Sequence, residues 1–226
     1  MSNTRVVQKG LSSLSWAMVT VVCTGGEVPP SSLSLDWLNA SHKIIAADGG
    51  LAFLKLLGRR ADLWIGDGDS LQGSLTDWAP WFTEAKVLER AKDETDTEAA
   101  VRAAVDTGAG EIWLLGGGGG RMDHWLANVR LMACYPTVTR WLTRFETIEV
   151  LDSGKSLSLK EGVVSIFPLG GGPWKISSEG LRWPVDQVDF ARWHSLSNEV
   201  SARGARVEAK KGRFLVLRPD LQGEPQ

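Results

Sequence analysis

The chain has 226 residues, enough for one large domain or two small ones with a full core. Its 25 basic and 27 acidic residues nearly cancel, and no Lys/Arg block stands out, which argues against nucleic acid or an anionic membrane as a partner. Cys23 and Cys134 lie far apart without metal-ligand spacing, so they read as free thiols of a reducing compartment.

Residues 1–15 are polar and Ser-rich, and a frayed extension is expected there. The stretch from Leu11 to Cys23 is broken by Ser12, Ser13 and Ser15, and Val22 is a poor cleavage-site residue, so it does not read as a signal peptide. No apolar run is long enough to span a bilayer, and a soluble cytoplasmic protein is expected.

Ala17 to Cys23 is a nearly continuous apolar run, the mark of a strand covered on both faces. It ends in Thr24-Gly25-Gly26, and Pro29-Pro30-Ser31-Ser32 reads as a loop before a short helix over Leu33 to Asn39. Lys43 to Ala47 predicts a second buried strand ending in Asp48-Gly49-Gly50, then a helix over Leu51 to Leu57 stopped by Gly58. Leu63-Trp64-Ile65 predicts a third strand, running into Gly66-Asp67-Gly68-Asp69-Ser70, and Lys86-Val87-Leu88 a fourth. Thr95 and Glu98 form a capping-box pattern for a helix reaching Asp106, with Gly108 as its stop. Ile112 to Leu115 predicts another buried strand, followed by five glycines and a helix over Met122 to Cys134.

Beyond about Trp141 helical patterns give way to short alternating segments: Thr147 to Leu151, Ser156 to Leu159, Val163 to Phe167, Gly204 to Ala209 and Arg213 to Leu217. The last two suggest a hairpin around Lys210-Lys211-Gly212. The expected fold is therefore an α/β N-terminal domain over residues 16–141, with a mostly parallel, Rossmann-like sheet, followed by an all-β sandwich over 142–218 and a polar tail over 219–226.

In an open parallel sheet the carboxyl ends of the strands line one ligand-binding rim. Asp48, Asp67, Asp69 and the loop Gly116–Gly120 all fall there. Carboxylates gathered without His or Cys call for a hard cation, magnesium before zinc. The plainer alternative is a solvated turn in which Asp69 or Ser70 caps a helix. Asp96, in the first turn of its helix, favours the cation. Lys92 is placed to meet a polyphosphate as a mobile point charge. Gly118, Gly119 and Gly120 let backbone N–H groups approach phosphate oxygens at a helix N-terminus. The run completes neither a dinucleotide fingerprint nor a P-loop. On the following helix Met122, Leu126, Val129 and Ala133 share one face, expected to pack on the sheet; Arg121, His124, Trp125 and Asn128 share another, with Asp123 on the opposite flank. For His124, a hydrogen-bonding role and catalysis both remain open.

These motifs, in order, resemble those of thiamine pyrophosphokinases: Asp48-Gly49-Gly50, Gly66-Asp67-x-Asp69-Ser70, Lys92-Asp93-x-Thr95-Asp96-x-Glu98, and Gly120-Arg121-x-Asp123-His124-x-x-x-Asn128. Gly180-Leu181-x-Trp183-Pro184 and Ser197-Asn198 also look like that family's C-terminal part. The resemblance implies pyrophosphoryl transfer from ATP to thiamine, with magnesium, in a homodimer that binds thiamine near its subunit interface. It implies that Asp67, Asp69 and Asp96 hold magnesium and phosphates with Asp48 close by, and that Lys92 and Arg121 contact the polyphosphate. Asp123, His124 and Asn128 would shape the site, Gly49, Ser70 and Thr95 would complete the nucleotide side, and Ser197 and Asn198 would lie near thiamine. Asp69, Asp96 and Asp123 are the candidate bases. Two positions depart from the family. Gly68 stands where a bulky apolar residue is usual, which is expected to loosen the metal turn. Leu215 stands where some members place a Trp against thiamine, leaving Trp183 or Trp193 to take that part. The alternatives are a magnesium-dependent pyrophosphokinase for another alcohol, such as a pterin, and a non-catalytic thiamine- or nucleotide-binding protein.

Overall fold

A computed structural model describes residues 18–91 and 93–219. The extension expected over 1–15, Ala17 of the first expected strand, Lys92, and residues 220–226 of the expected tail lie outside the described residues.

Strands and helices alternate at first: β1 (Val19–Thr24), α1 (Ser31–Ala40), β2 (Lys43–Ala47), α2 (Gly50–Leu56), β3 (Ala61–Gly66), α3 (Leu75–Trp78), β4 (Phe82–Val87), α4 (Asp96–Asp106), β5 (Glu111–Gly116) and α5 (Met122–Cys134). Strands follow: β6 (Val138–Leu142), β7 (Glu146–Leu151), β8 (Ser156–Leu159), β9 (Gly162–Leu169), β10 (Lys175–Glu179), β11 (Ser195–Val200), β12 (Ala205–Lys211) and β13 (Arg213–Pro219). A ten-stranded sheet runs in the order β11-β9-β13-β7-β6-β5-β1-β2-β3-β4. It is parallel from β4 to β6 and antiparallel from β6 to β11. The sandwich forms where its antiparallel half is covered by a three-stranded sheet, β10-β12-β8. Among the described residues no helix is long and apolar enough to cross a membrane.

The unbroken apolar runs of the parallel strands follow from double coverage. In β5, Ile112 and Leu114 meet Ala100, Val101 and Ala104 of α4 and Leu131 and Met132 of α5, whereas Trp113 and Leu115 face Leu38 of α1 and Leu51 and Leu54 of α2. The Thr95 hydroxyl caps α4 as expected, accepting the Glu98 N–H at 3.1 Å.

Three expectations need correction. Ser31 and Ser32 belong to the first turn of α1, not to a loop, because Pro30 sits just before the helix, where its missing N–H does no harm. Lys210-Lys211-Gly212 does not close a hairpin: β12 and β13 lie in different sheets, and Gly212 carries the chain between the layers. On α5, Met122 and Leu126 point outward, 75% and 57% exposed. Val129 and Ala133 of the expected face do pack on the core, half-buried beside the buried Asn128, Leu131 and Met132, and the Trp125 ring packs 5.6 Å from that of Trp141.

Arg213 ties the two regions together. Its Nε donates to Asp152 Oδ1 at 2.8 Å, and its Nη1 to the Met132 and Ala133 carbonyls at 3.0 and 3.2 Å. Those carbonyls belong to the last turn of α5, which has no basic residue of its own. Arg213→Met keeps the stem and removes every donor. It is expected to destabilise the protein by about 1.5–3 kcal/mol in urea denaturation, the range for hydrogen bonds from a charged group.

Candidate active site

The strand order reverses between β1 and β5, so the loops after them flank a crevice at the sheet's carboxyl edge. The loops are stitched together: the Gly117 N–H donates to Gly25 O at 2.8 Å and the Glu27 N–H to Gly118 O at 3.1 Å. The crevice opens into a cleft of about 710 Å³, walled by these loops and by α2, α4 and α5.

Asp48 and Asp96 line the cleft, and Asp67 and Asp69, which are not among its lining residues, meet Asp48. Asp48, Asp67 and Asp69 each offer a carboxylate oxygen, and these oxygens lie within 4.8 Å of one another. Asp48 reaches the group because the backbone turns sharply at φ +43°. That turn is held by the Asp48 N–H on Ile65 O (2.8 Å) and by the Trp64 indole N–H on Asp48 O (3.2 Å). Gly66 makes the approach possible: a Cβ there would sit 3.0 Å from both Asp48 Cα and Cβ. Gly68 does not loosen the next turn. It adopts φ +80°, the Asp69 N–H closes the turn onto Asp67 Oδ1 at 3.0 Å, and the Trp64 ring lies beneath.

Burial pushes the Asp48 carboxyl above its ordinary range, while the nearby Ser70 hydroxyl and Gly49 N–H pull it back and the negative charges of Asp96 and Asp69 push it further up. Asp48 Oδ1 is shut off from solvent and accepts no hydrogen bond from the described residues. Three converging carboxylates, one with an unsatisfied buried oxygen, fit a hard divalent cation. Asp96 was expected in this group with Asp67 and Asp69. It stands outside the group, on the cleft wall, close enough to bias Asp48.

Gly49, Ser70, Thr95, Gly119, Gly120, Arg121, His124 and Asn128 of the expected set also line the cleft. Gly118 does not: it packs on Thr143, whose Cβ would be 2.6 Å from any Cβ at that position. Asn128 is nearly buried and donates to Gly117 O at 3.2 Å, so it props the glycine loop from below. Asp123 takes Arg121 in a two-pronged pair, Nε to Oδ1 at 3.1 Å and Nη2 to Oδ2 at 2.5 Å. Arg121 thereby holds the Asp123 carboxyl below the usual range, which makes Asp123 a poor proton acceptor and a good orienter. Lys92 lies outside the described residues.

Ser197 and Asn198 stand on β11, away from the residues that line the cleft. Asn198 is 2% exposed and its amide is fully engaged, accepting the Trp183 and Glu199 N–H groups and donating to Trp183 O and Ser195 Oγ. These bonds fasten the Trp183 loop to β11. Ser197 is exposed at φ +50°. Leu215 is in the core, while Trp183 and Trp193 are 51% and 67% exposed. Sequence reasoning missed Glu27 and the buried hydroxyl pair Thr24–Thr97 (2.8 Å), which also line the cleft. Thr24 was legible as a strand-end residue; Thr97, one residue past Asp96, had no comparable signal.

The sequence profile of the thiamin pyrophosphokinase catalytic domain matches residues 35–140, and that of the vitamin B1 binding domain of the same family matches 149–214. The fold is similar to that of thiamin pyrophosphokinase from Geobacillus thermodenitrificans, with a TM-score of 0.72, 23% identity, and coverage of 90% of this chain and 98% of that one. Thiamine pyrophosphokinase from Bacillus subtilis gives 0.68, 21%, 89% and 98%. The yeast enzyme gives 0.67, 15%, 92% and 88%. A search of curated proteins gives no match.

Proposed function

This chain belongs to the thiamin pyrophosphokinase family, and we propose that it works as that family's enzyme, transferring the pyrophosphoryl group of ATP to the hydroxyl of thiamine to give thiamine diphosphate and AMP. The observation that carries the reading is that Asp48, which meets Asp67 and Asp69, lines one cleft with Asp96, the glycine loop and Arg121 at the strand-order reversal.

Asp48, Asp67 and Asp69 would hold magnesium, with Asp96 beside them. Bound there, the ion would neutralise charge on the phosphate oxygens of ATP. The protein's own groups do the positioning. Gly119 and Gly120 let the backbone at the α5 N-terminus approach an anion, Asp123 aims Arg121 at the polyphosphate, and Lys92 adds a second cation. The thiamine hydroxyl must lose a proton as it attacks the β-phosphorus, and AMP leaves in its place. Asp69 and Asp96 are better suited to take that proton than Asp123, which Arg121 holds ionised and engaged.

We assign the nucleotide to the α/β region over 16–141 and thiamine to the β-rich region over 142–218, beside Ser197 and the exposed Trp183 and Trp193. Leu196 on the outermost strand β11, together with Trp183 and Trp193 beside that strand, leaves several large apolar side chains exposed, which supports a homodimer across that edge. ATP as co-substrate fits a cytoplasmic setting. The test is product analysis with ATP, thiamine and magnesium. AMP and thiamine diphosphate should appear in equal amounts, with neither formed when EDTA replaces magnesium. Release of ADP or orthophosphate, or a preference for a pterin alcohol over thiamine, would overturn the reading.

A further inference from the structure

Glu27 follows β1 and lies outside both family profiles. Its N–H is bonded to Gly118 O, and its side chain runs along the glycine loop so closely that a Cβ at Gly119 would come within 2.6 Å of Glu27 Cγ and Oε1. The side chain lines the cleft. Among the described residues Glu27 Oε2 is closed off from solvent and accepts no hydrogen bond; it forms an ion pair with the Arg144 guanidinium at 3.9 Å, too long to be a hydrogen bond.

A desolvated carboxylate oxygen left without a donor is unfavourable, because it has given up water without gaining a hydrogen bond in exchange. A carboxylate only accepts, so what completes Glu27 is an N–H or O–H group; a phosphate, anionic and rich in acceptors, is repelled. Glu27 is also outside the Asp48–Asp67–Asp69 group, so the metal does not claim it. The substrates bring four kinds of uncharged donor: ribose hydroxyls, the amine of the adenine base, the amine of thiamine's pyrimidine and thiamine's reacting hydroxyl. Every residue lining the cleft lies at or before Asn128, within the α/β region, which points to the nucleoside rather than thiamine. Val28, next in sequence to Glu27, lines the same cleft with Ala52, Phe53 and Leu56, and Val28 and Leu56 stay 43% and 77% exposed. An apolar wall in the same cleft as this acceptor suits a flat base and its sugar.

We infer that Glu27 is the specificity-determining residue for the nucleoside, accepting a hydrogen bond from a ribose hydroxyl or the base amine of ATP. The inference rests on ATP being the co-substrate. It deepens that reading by naming what selects the nucleotide at its uncharged end.

The test compares wild type, Glu27→Gln and Glu27→Ala with ATP, 2′-deoxy-ATP, 3′-deoxy-ATP and ITP, and with thiamine against oxythiamine, which lacks the pyrimidine amine. Calorimetric binding of AMP and the matching monophosphates is measured alongside, so that the comparison does not depend on turnover. Wild type is expected to disfavour at least one nucleotide analogue by about 10-fold or more in kcat/KM and in Kd, because a buried acceptor is left unpaired. In Glu27→Ala that preference should shrink to within about 3-fold, with Glu27→Gln, which preserves the packing on Gly119, in between. The deoxy arms report a hydroxyl contact and the inosine arm an amine contact. Unchanged nucleotide preferences in both variants would reduce Glu27 to a prop for the glycine loop and overturn the inference. So would a collapse confined to thiamine against oxythiamine. Failure of wild type to release AMP from ATP and thiamine would instead refute the proposed reaction, and the binding arm would still decide for or against Glu27.

Discussion

Replacing Asp48 with asparagine is expected to lower turnover by about 10²-fold or more, the scale of losing a charged group from a preorganised phosphate-transfer site. The same change is expected to make the metal-free protein more stable near neutral pH. Burial raises the Asp48 carboxyl above its ordinary value in the folded state. Between the ordinary and the raised value the folded chain therefore keeps a proton that the unfolded chain has lost. Stability then falls as pH rises through that window and stays lower above it. Asparagine has no proton to lose, so its thermal midpoint should pull ahead of wild type as pH climbs from about 4 towards neutrality. In wild type, magnesium should recover the difference by satisfying the buried Oδ1; in Asp48→Asn it should add little. Scanning calorimetry across pH, with EDTA or magnesium, checks both signs. Asp69→Asn separates the two effects: it should abolish magnesium-dependent turnover with little gain in stability, because Asp69 is exposed. Near-normal turnover in both variants would sink the metal assignment.

The contrast between Asp48 and Asp96 shows where sequence reading reaches its limit. Strand ends are legible because continuous apolar runs such as Ile112 to Leu115 need cover on both faces, and the carboxyl ends of parallel strands share a rim. Which rim residues touch is decided by less visible things. Asp48 joins Asp67 and Asp69 through a positive φ, an indole bond from Trp64 and the missing side chain of Gly66, none of which has a periodic signature. Asn198 shows the same limit from the other side: nothing in its sequence context says that its amide bonds both Trp183 and its own strand, at Ser195 and Glu199. On α5 the spacing gave half of the core face: Val129 and Ala133 pack on the core as expected, whereas Met122 and Leu126 do not. Met122 and Leu126 were more apolar than Asn128, but Trp125 packs against Trp141, whose indole N–H reaches Gly116 O at 2.6 Å, and this fixes the helix phase. In the β-rich half β10 and β11 went unseen because Ser177, Ser178, Ser195 and Ser197 blur their alternation. The β12–β13 step was mistaken for a hairpin because local sequence does not say which sheet each strand will join.

Gly50→Ala should be the most damaging single-methyl substitution near the site. Gly50 opens α2 and is buried against β1. Its φ is unexceptional, so conformational freedom is not the reason for glycine here; space is. A Cβ would lie 2.6 Å from the Cys23 carbonyl carbon and 2.9 Å from Thr24 N, and nearer still to Cys23 O. These are backbone atoms, with no side chain to swing aside. Nor can β1 retreat, since Cys23 is paired in parallel ladders with Ala46 on one side and Leu115 on the other. The helix must lift instead, drawing the fully buried Leu51 and Leu54 from the core and dragging Asp48, two residues upstream, out of line with Asp67 and Asp69. Overpacking of this kind is unfavourable by about 3 kcal/mol or more when the neighbours are rigid. Urea denaturation should show that loss, and the folded fraction should turn over poorly because its carboxylates no longer converge. Gly171→Ala supplies the control: it has nothing within 4 Å and no positive φ, so it should change stability by no more than about 0.5 kcal/mol. If Gly50→Ala proved as mild as Gly171→Ala, α2 would not be seated on β1 as described, and the geometry that brings Asp48 into the carboxylate group would fall with it.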